Sequence, residues 1–111
     1  MARAALVTGG SRGIGAAAAA CLAHAGFSVA IGYGRSKARA EALAASLRAE
    51  NCNAMAVEID VCDRASVRAA LERVRQRIGA PDTLVLCAGV AQQKLFQDIS
   101  DADWDRLFDV N

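Results

Sequence analysis

The chain has 111 residues, is 54% hydrophobic with few aromatics, and carries a net charge of +1 from 13 basic and 12 acidic residues. That length is one domain or part of one, with a modest core. The mixed charges form no basic stripe interleaved with aromatics, which argues against nucleic acid. No apolar run approaches the about 18–20 residues of a membrane span.

The elements alternate in chain order. Ala4–Thr8 is a short apolar run and reads as a strand. Gly13–Ala25 is alanine-rich and stops at Gly26, the pattern of a helix with a glycine terminator. Ser28–Gly32 is a second apolar strand. Ser36–Asn51 reads as a helix with Ala38, Ala42, Leu43 and Leu47 on one face. Ala54–Ile59 is a third strand. Asp63 is a candidate N-cap for a helix through Ile78, with Val67, Leu71, Val74 and Ile78 at helical spacing. Gly79-Ala80-Pro81-Asp82 ends it. Thr83–Cys87 is a fourth strand, apolar on both faces. Ser100 and Asp103 then make an imperfect capping box, with Asp in place of Glu or Gln, ahead of Trp104, Leu107, Phe108 and Asn111 at helical spacing.

Continuous apolar strands joined by amphipathic helices predict a parallel sheet covered on both faces. Right-handed crossovers give β-α-β-α-β-α-β, the N-terminal half of an α/β doubly wound sheet of Rossmann type, in order 3-2-1-4. The expectation is one nucleotide-binding domain over residues 1–111, truncated at its C-terminal end. No stop signal closes the last helix, and the fourth strand is left as an apolar edge.

Cys21, Cys52, Cys62 and Cys87 form no C-x-x-C pair, and His24 is the only histidine. No metal site is expected, and the thiols read as reduced small hydrophobes. The N-terminus runs straight into strand pattern without a signal-peptide layout, so the expected location is cytoplasmic.

The chemistry concentrates in Leu6-Val7-Thr8-Gly9-Gly10-Ser11-Arg12-Gly13-Ile14-Gly15. Gly9 permits the tight turn off the strand, Gly13 lets backbone approach phosphate, and Gly15 lets helix pack on sheet. Free amides and the helix dipole then attract an anion, here the pyrophosphate of a dinucleotide. The glycines follow a strand and open a helix, which is the context that gives such a motif meaning. No Gly-Lys-Ser/Thr follows, so this is not a P-loop.

The spacing T-G-x-x-x-G-x-G over Thr8–Gly15 resembles the short-chain dehydrogenase/reductase family. Further segments match in order. Asp60-Val61 falls where the family aspartate binds near the adenine. Leu86-Cys87-Ala88-Gly89 falls where the family has N-N-A-G. Trp104–Asn111 resembles the helix carrying the catalytic asparagine, which places Asn111 in that role. The similarity is strongest to the 3-oxoacyl-[acyl-carrier-protein] reductase-like branch. It implies cofactor contacts from Gly9, Ser11, Arg12, Gly13, Ile14, Gly15, Tyr33, Arg35, Ser36, Asp60, Val61, Cys87, Ala88 and Gly89. Leu86 and Cys87 depart from the family's two asparagines; a cysteine is smaller and a weak hydrogen-bond partner.

The stretch after the second strand, Gly32-Tyr33-Gly34-Arg35-Ser36-Lys37, holds no acid to bind a ribose diol. Arg35 and Arg12 instead suit a phosphate, so NADP(H) is expected over NAD(H). Tyr33 to Lys37 is a literal Y-x-x-x-K, the spacing of the family's acid–base pair. It fails on chemistry, because both side chains must share one helical face and Tyr33 ends a strand between glycines. The chain therefore holds the asparagine of the family's Asn-Ser-Tyr-Lys set and no Ser/Tyr/Lys centre. The resemblance implies a full-length protein that reduces a carbonyl substrate, 3-oxoacyl-thioester-like or similar, to an alcohol, acts as a homodimer or homotetramer, and uses no nucleic acid or membrane. The 111 residues alone are expected to be inactive. Val90–Phe96 is expected to line one side of the substrate entrance. The alternative reading is a non-catalytic module that binds or senses NADP(H).

Overall fold

In the computed structural model, residues 3–90 and 93–111 are described; Ala91 and Gln92, part of the segment expected at the substrate entrance, lie outside them. The elements are β1 (Ala4–Thr8), α1 (Gly13–His24), β2 (Ser28–Tyr33), α2 (Lys37–Ala49), β3 (Ala54–Glu58), α3 (Arg64–Ile78) and β4 (Thr83–Leu86), then a short 3₁₀ turn (Phe96–Asp98) and α4 (Asp101–Val110). The four strands are all parallel and lie in the order β3-β2-β1-β4. The expected doubly wound topology is what forms.

The period-2 alternation of each strand divides the core into two layers. Val7, Val29, Ile31 and Tyr33 face α1 and α2, and they meet Ala19, Ala23, Ala40, Ala44 and Leu47. Leu6, Ala30, Met55, Val57 and Ile59 face α3 and meet Ala70 and Val74. Small alanines let the helices sit close to the sheet, so most of the buried bulk comes from strand side chains.

Two expected helix faces are corrected. On α2 the buried stripe is Ala40, Ala44 and Leu47 with Leu43 partly buried, whereas Ala38 and Ala42 are exposed. Alanine occurs on every side of this helix, and the stripe at i, i+3, i+4, i+7 from Ala40 is the one that carries both leucines against the sheet. On α3 the small Ala70 sits over the sheet, and Leu71 turns outward to 38% exposure. Tyr33 extends β2 by one residue beyond the expected strand.

The ends follow local rules. Gly26 stops α1 at a φ of 98°, where a side chain would be strained. Asp63 caps α3 by accepting from the Ala65 N–H at 2.9 Å. Ser100 and Asp103 complete their capping box with two reciprocal bonds of 3.1 Å each, so aspartate serves where glutamate is usual. Among the described residues no helix is long and apolar enough to cross a membrane.

Candidate functional site

The sheet order reverses beside β1, and a cleft opens there at the carboxyl ends of the strands. Its volume is about 650 Å³, within the range of pockets that hold small molecules and cofactors. Each strand end supplies a segment: the glycine loop after β1, Gly34–Ser36 after β2, Glu58–Cys62 at the end of β3, and Cys87–Val90 after β4. Arg106 and Val110 of α4 close the remaining side.

The glycine loop is held by close packing. Gly9 adopts a φ of 63°, and a Cβ there would stand 2.7 Å from the Cys87 carbonyl and the Ala88 nitrogen. A Cβ on Gly15 would overlap the Gly9 carbonyl oxygen. Gly13 is different: it has a φ of 60°, but nothing lies within 4 Å of where its Cβ would be. The loop is thus packed on the sheet side and open on the cleft side. The Gly10 N–H donates to the Gly32 carbonyl at 2.9 Å and ties the loop to β2.

The helix N-termini at the cleft differ in how they are capped. Neither Arg12 before α1 nor Ser36 before α2 makes a side-chain cap bond. The first amides of both helices are left without the partner such positions normally take from a side chain. Arg12 and Arg35 line the same wall. Orphan amides, two helix dipoles and two guanidinium groups together fit a phosphate-bearing ligand. Asp60 and Asp63, by contrast, spend their carboxylates locally. Asp60 accepts from the Cys62 N–H at 3.0 Å, and the Asp60 N–H donates to Ser66 Oγ at 2.8 Å.

Most of the expected cofactor residues meet in this cleft: Gly9, Ser11, Arg12, Gly13, Arg35, Ser36, Asp60, Val61, Cys87, Ala88 and Gly89. Three do not line it. Ile14 is 82% exposed outside the lining, Gly15 is buried under the loop, and Tyr33 is 7% exposed in the core between sheet and helices. Lys37 begins α2 and is exposed, so Tyr33 and Lys37 share no helical face.

Asn111 stands beside the cleft and is fully engaged by backbone. Its Oδ1 accepts from the Val90 N–H at 2.9 Å, and its Nδ2 donates to the Val90 carbonyl at 2.8 Å. The amide pairs with Val90 as a neighbouring strand would, and it docks α4 onto the segment after β4. Lys94 adds an ion pair to Asp103 at 2.7 Å. That bond and the cap with Ser100 hold the Asp103 carboxyl down to a pKa of about 2.

Several residues of the site escaped the sequence reading. Thr8 Oγ1 accepts from the Cys87 and Ala88 N–H groups at 3.2 and 3.3 Å, so a threonine side chain ties β1 to the end of β4. A polar β-branched residue closing an apolar strand was the available signal. Cys62, Arg106 and Val110 line the cleft because of tertiary placement, for which the local sequence carries no sign, while Val90, from the segment expected at the substrate entrance, lines it too. Desolvation, and behind it the negative charges of Asp60 and Asp109, hold the Cys62 thiol above its ordinary value. It stays protonated at neutral pH, which disfavours a nucleophilic role.

A parallel α/β sheet with a glycine-rich turn at its switch point defines a Rossmann-type dinucleotide-binding architecture. The short chain dehydrogenase family profile matches residues 3–111, and the chain belongs to that family of oxidoreductases. It is 37% identical over 111 residues to the 3-oxoacyl-[acyl-carrier-protein] reductase FabG of Staphylococcus aureus, covering all of this chain and 45% of that protein. A dehydrogenase/reductase from Sinorhizobium meliloti superposes with a TM-score of 0.93 at 34% identity, over 99% of this chain and 44% of that one. A short chain dehydrogenase from Burkholderia cenocepacia, solved in complex with NADP, gives 0.91 at 42% identity, over 97% and 44%. The chain thus spans a little under half the length of the relatives it matches.

Proposed function

We propose that this chain is the cofactor-binding part of an NADP-dependent oxidoreductase that reduces a carbonyl to an alcohol. The observation that carries the reading is the phosphate-suited wall: two uncapped helix N-termini with Arg12 and Arg35 beside them and no acid in the β2–α2 turn. The α1 amides are proposed to take the pyrophosphate, and Arg12 to reach the adenosine ribose phosphate together with Arg35. Arg35 and Ser36 are proposed to take the phosphate on the adenosine ribose, where an acid would instead have read a free diol. Bound there, the cofactor supplies hydride. The chain's own part is to bind, orient and hold it.

The substrate is proposed to be a 3-oxoacyl thioester or a similar carbonyl, by likeness to FabG. Tyr33 is the only tyrosine and lies in the core away from Lys37, so no Tyr–Lys acid–base pair forms within these residues. By itself the chain is proposed to bind nucleotide without turning over a carbonyl. The full-length protein is proposed to be a homodimer or homotetramer.

Calorimetric titration with NADPH and NADH tests the cofactor reading. NADPH should bind more tightly. Arg35→Ala should weaken NADPH about 10-fold or more, the scale of a charge-assisted hydrogen bond, and leave NADH unchanged. Equal affinity for the two nucleotides, or an Arg35→Ala chain that binds NADPH as before, would overturn it.

A further inference from the structure

We propose that Arg106 is a cofactor-contacting residue whose guanidinium plane lies against the adenine base, an inference that rests on the dinucleotide reading above. The two faces of the sheet give the cleft two chemically different walls. The wall on the α1–α2 side offers orphan amides, Arg12 and Arg35, and suits phosphate. The opposite wall, from the β3–α3 turn and α4, offers Val61 and Val110 with the Asp60 carboxylate, and α3 there is already capped by Asp63. With Asp60 engaged by the Cys62 N–H and Asp63 capping α3, this wall offers no orphan amides, and its apolar Val61 and Val110 accept a neutral planar group.

Arg106 stands on this second wall. It is four residues before Val110 on α4, so both present to the cleft from one helical face. The paired bonds from Asn111 to Val90 tie the end of α4 to the segment after β4, and Lys94 of the same connection pairs with Asp103 at the start of the helix. Asp109 is near enough to the β3–α3 turn for its charge to act on Cys62, so the last turn of α4 reaches across to that wall. The Arg106 guanidinium forms no ion pair among the described residues, although aspartates flank it on α4. It is free to cover a ligand. Arginine has the flat, weakly hydrated cation that stacks on an aromatic ring, which lysine does not.

The test is calorimetric titration of the chain with NADPH and with NADH, comparing the unsubstituted protein, Arg106→Gln, Arg106→Lys and Arg35→Ala. Circular dichroism and thermal unfolding should show both Arg106 variants folded like the parent, since the side chain is exposed. Arg106→Gln should raise the Kd for both nucleotides by about 3- to 10-fold and leave their ratio unchanged, because the base is common to both. Arg106→Lys should behave like Arg106→Gln, because it keeps the charge and loses the plane. Arg35→Ala should change the ratio. Unchanged affinities in Arg106→Gln would overturn the inference and leave the cofactor reading standing. Loss confined to NADPH and rescued by Arg106→Lys would also overturn it, since Arg106 would then act on the ribose phosphate. Failure of the unsubstituted chain to bind either nucleotide would overturn both.

Discussion

β1 and β2 on one side, and β4 on the other, are built from similarly apolar sequence and end in different states. Every residue of β1 and β2 is buried. β4 alternates between half-buried and exposed, with Leu84 at 58% and Leu86 at 75% exposure, and α4 buries nothing fully. The difference lies in neighbours. β1 and β2 have a strand on each flank and helices on both faces, whereas β4 has a strand on one flank only. Apolar composition proposes burial, and topology decides it. The cleft lies across the seam: its phosphate-suited wall stands on the buried half, and its other wall includes the exposed α4.

Paired substitutions should break or confirm this contrast. Leu47→Ala removes a side chain that is 2% exposed against the α2 face of the sheet, and should destabilise the chain by about 2–5 kcal/mol in urea unfolding. Leu84→Ala, at 58% exposure, should stay within about 0.5 kcal/mol. Comparable losses at both sites would mean that β4 is packed as tightly as the core between α2 and the sheet, contradicting the contrast.

A smaller effect with a diagnostic sign comes from the glycine loop. Gly15 lies in the first turn of α1, where helix propensity alone favours alanine by about 1 kcal/mol. The overlap of a Cβ with the Gly9 carbonyl reverses that sign, and Gly15→Ala should destabilise by about 1–3 kcal/mol and displace the loop. A stabilised Gly15→Ala protein would show that the loop does not need its close packing.

The smallest effect concerns the docking of α4. The Asp103 pKa is depressed to about 2 by its hydrogen bond to Lys94 and by the Ser100 cap. A depressed carboxylate contributes stability above its unfolded pKa of about 4, and that contribution is lost as pH falls through about 2. Trp104, the only tryptophan, adjoins Asp103 and packs against Phe108 with ring centroids 5.1 Å apart. Its fluorescence should therefore show an acid step between about pH 4 and 2 that Asp103→Asn removes. A step retained in Asp103→Asn would assign it to another carboxylate.

The sequence was legible where local pattern and tertiary role coincide. Strand order, the glycine loop and the capping signals of Asp63 and Ser100 could all be read, because a turn or cap is specified within a few residues. The burial faces of α2 and α3 were harder, because alanine has too little contrast to mark a phase. Tyr33 shows a further limit. At a strand end the period-2 alternation alone decides whether a side chain enters the core or the cleft, and Tyr33 falls on the core side with Ile31. Arg106 and Val110 could not be placed, since only the docking of α4 brings them to the strand ends. The pairing of Asn111 with Val90 was not legible, because it depends on a contact 21 residues away in sequence.

If the cleft at the strand ends holds the nucleotide, as proposed, the chain's own thiols report it. Cys62 and Cys87 line the cleft, whereas Cys21 is exposed on α1 outside it. Alkylation followed by mass spectrometry, with and without NADPH, should show Cys62 and Cys87 protected and Cys21 reacting at the same rate. Equal labelling of all three cysteines at a saturating concentration of nucleotide would contradict the account.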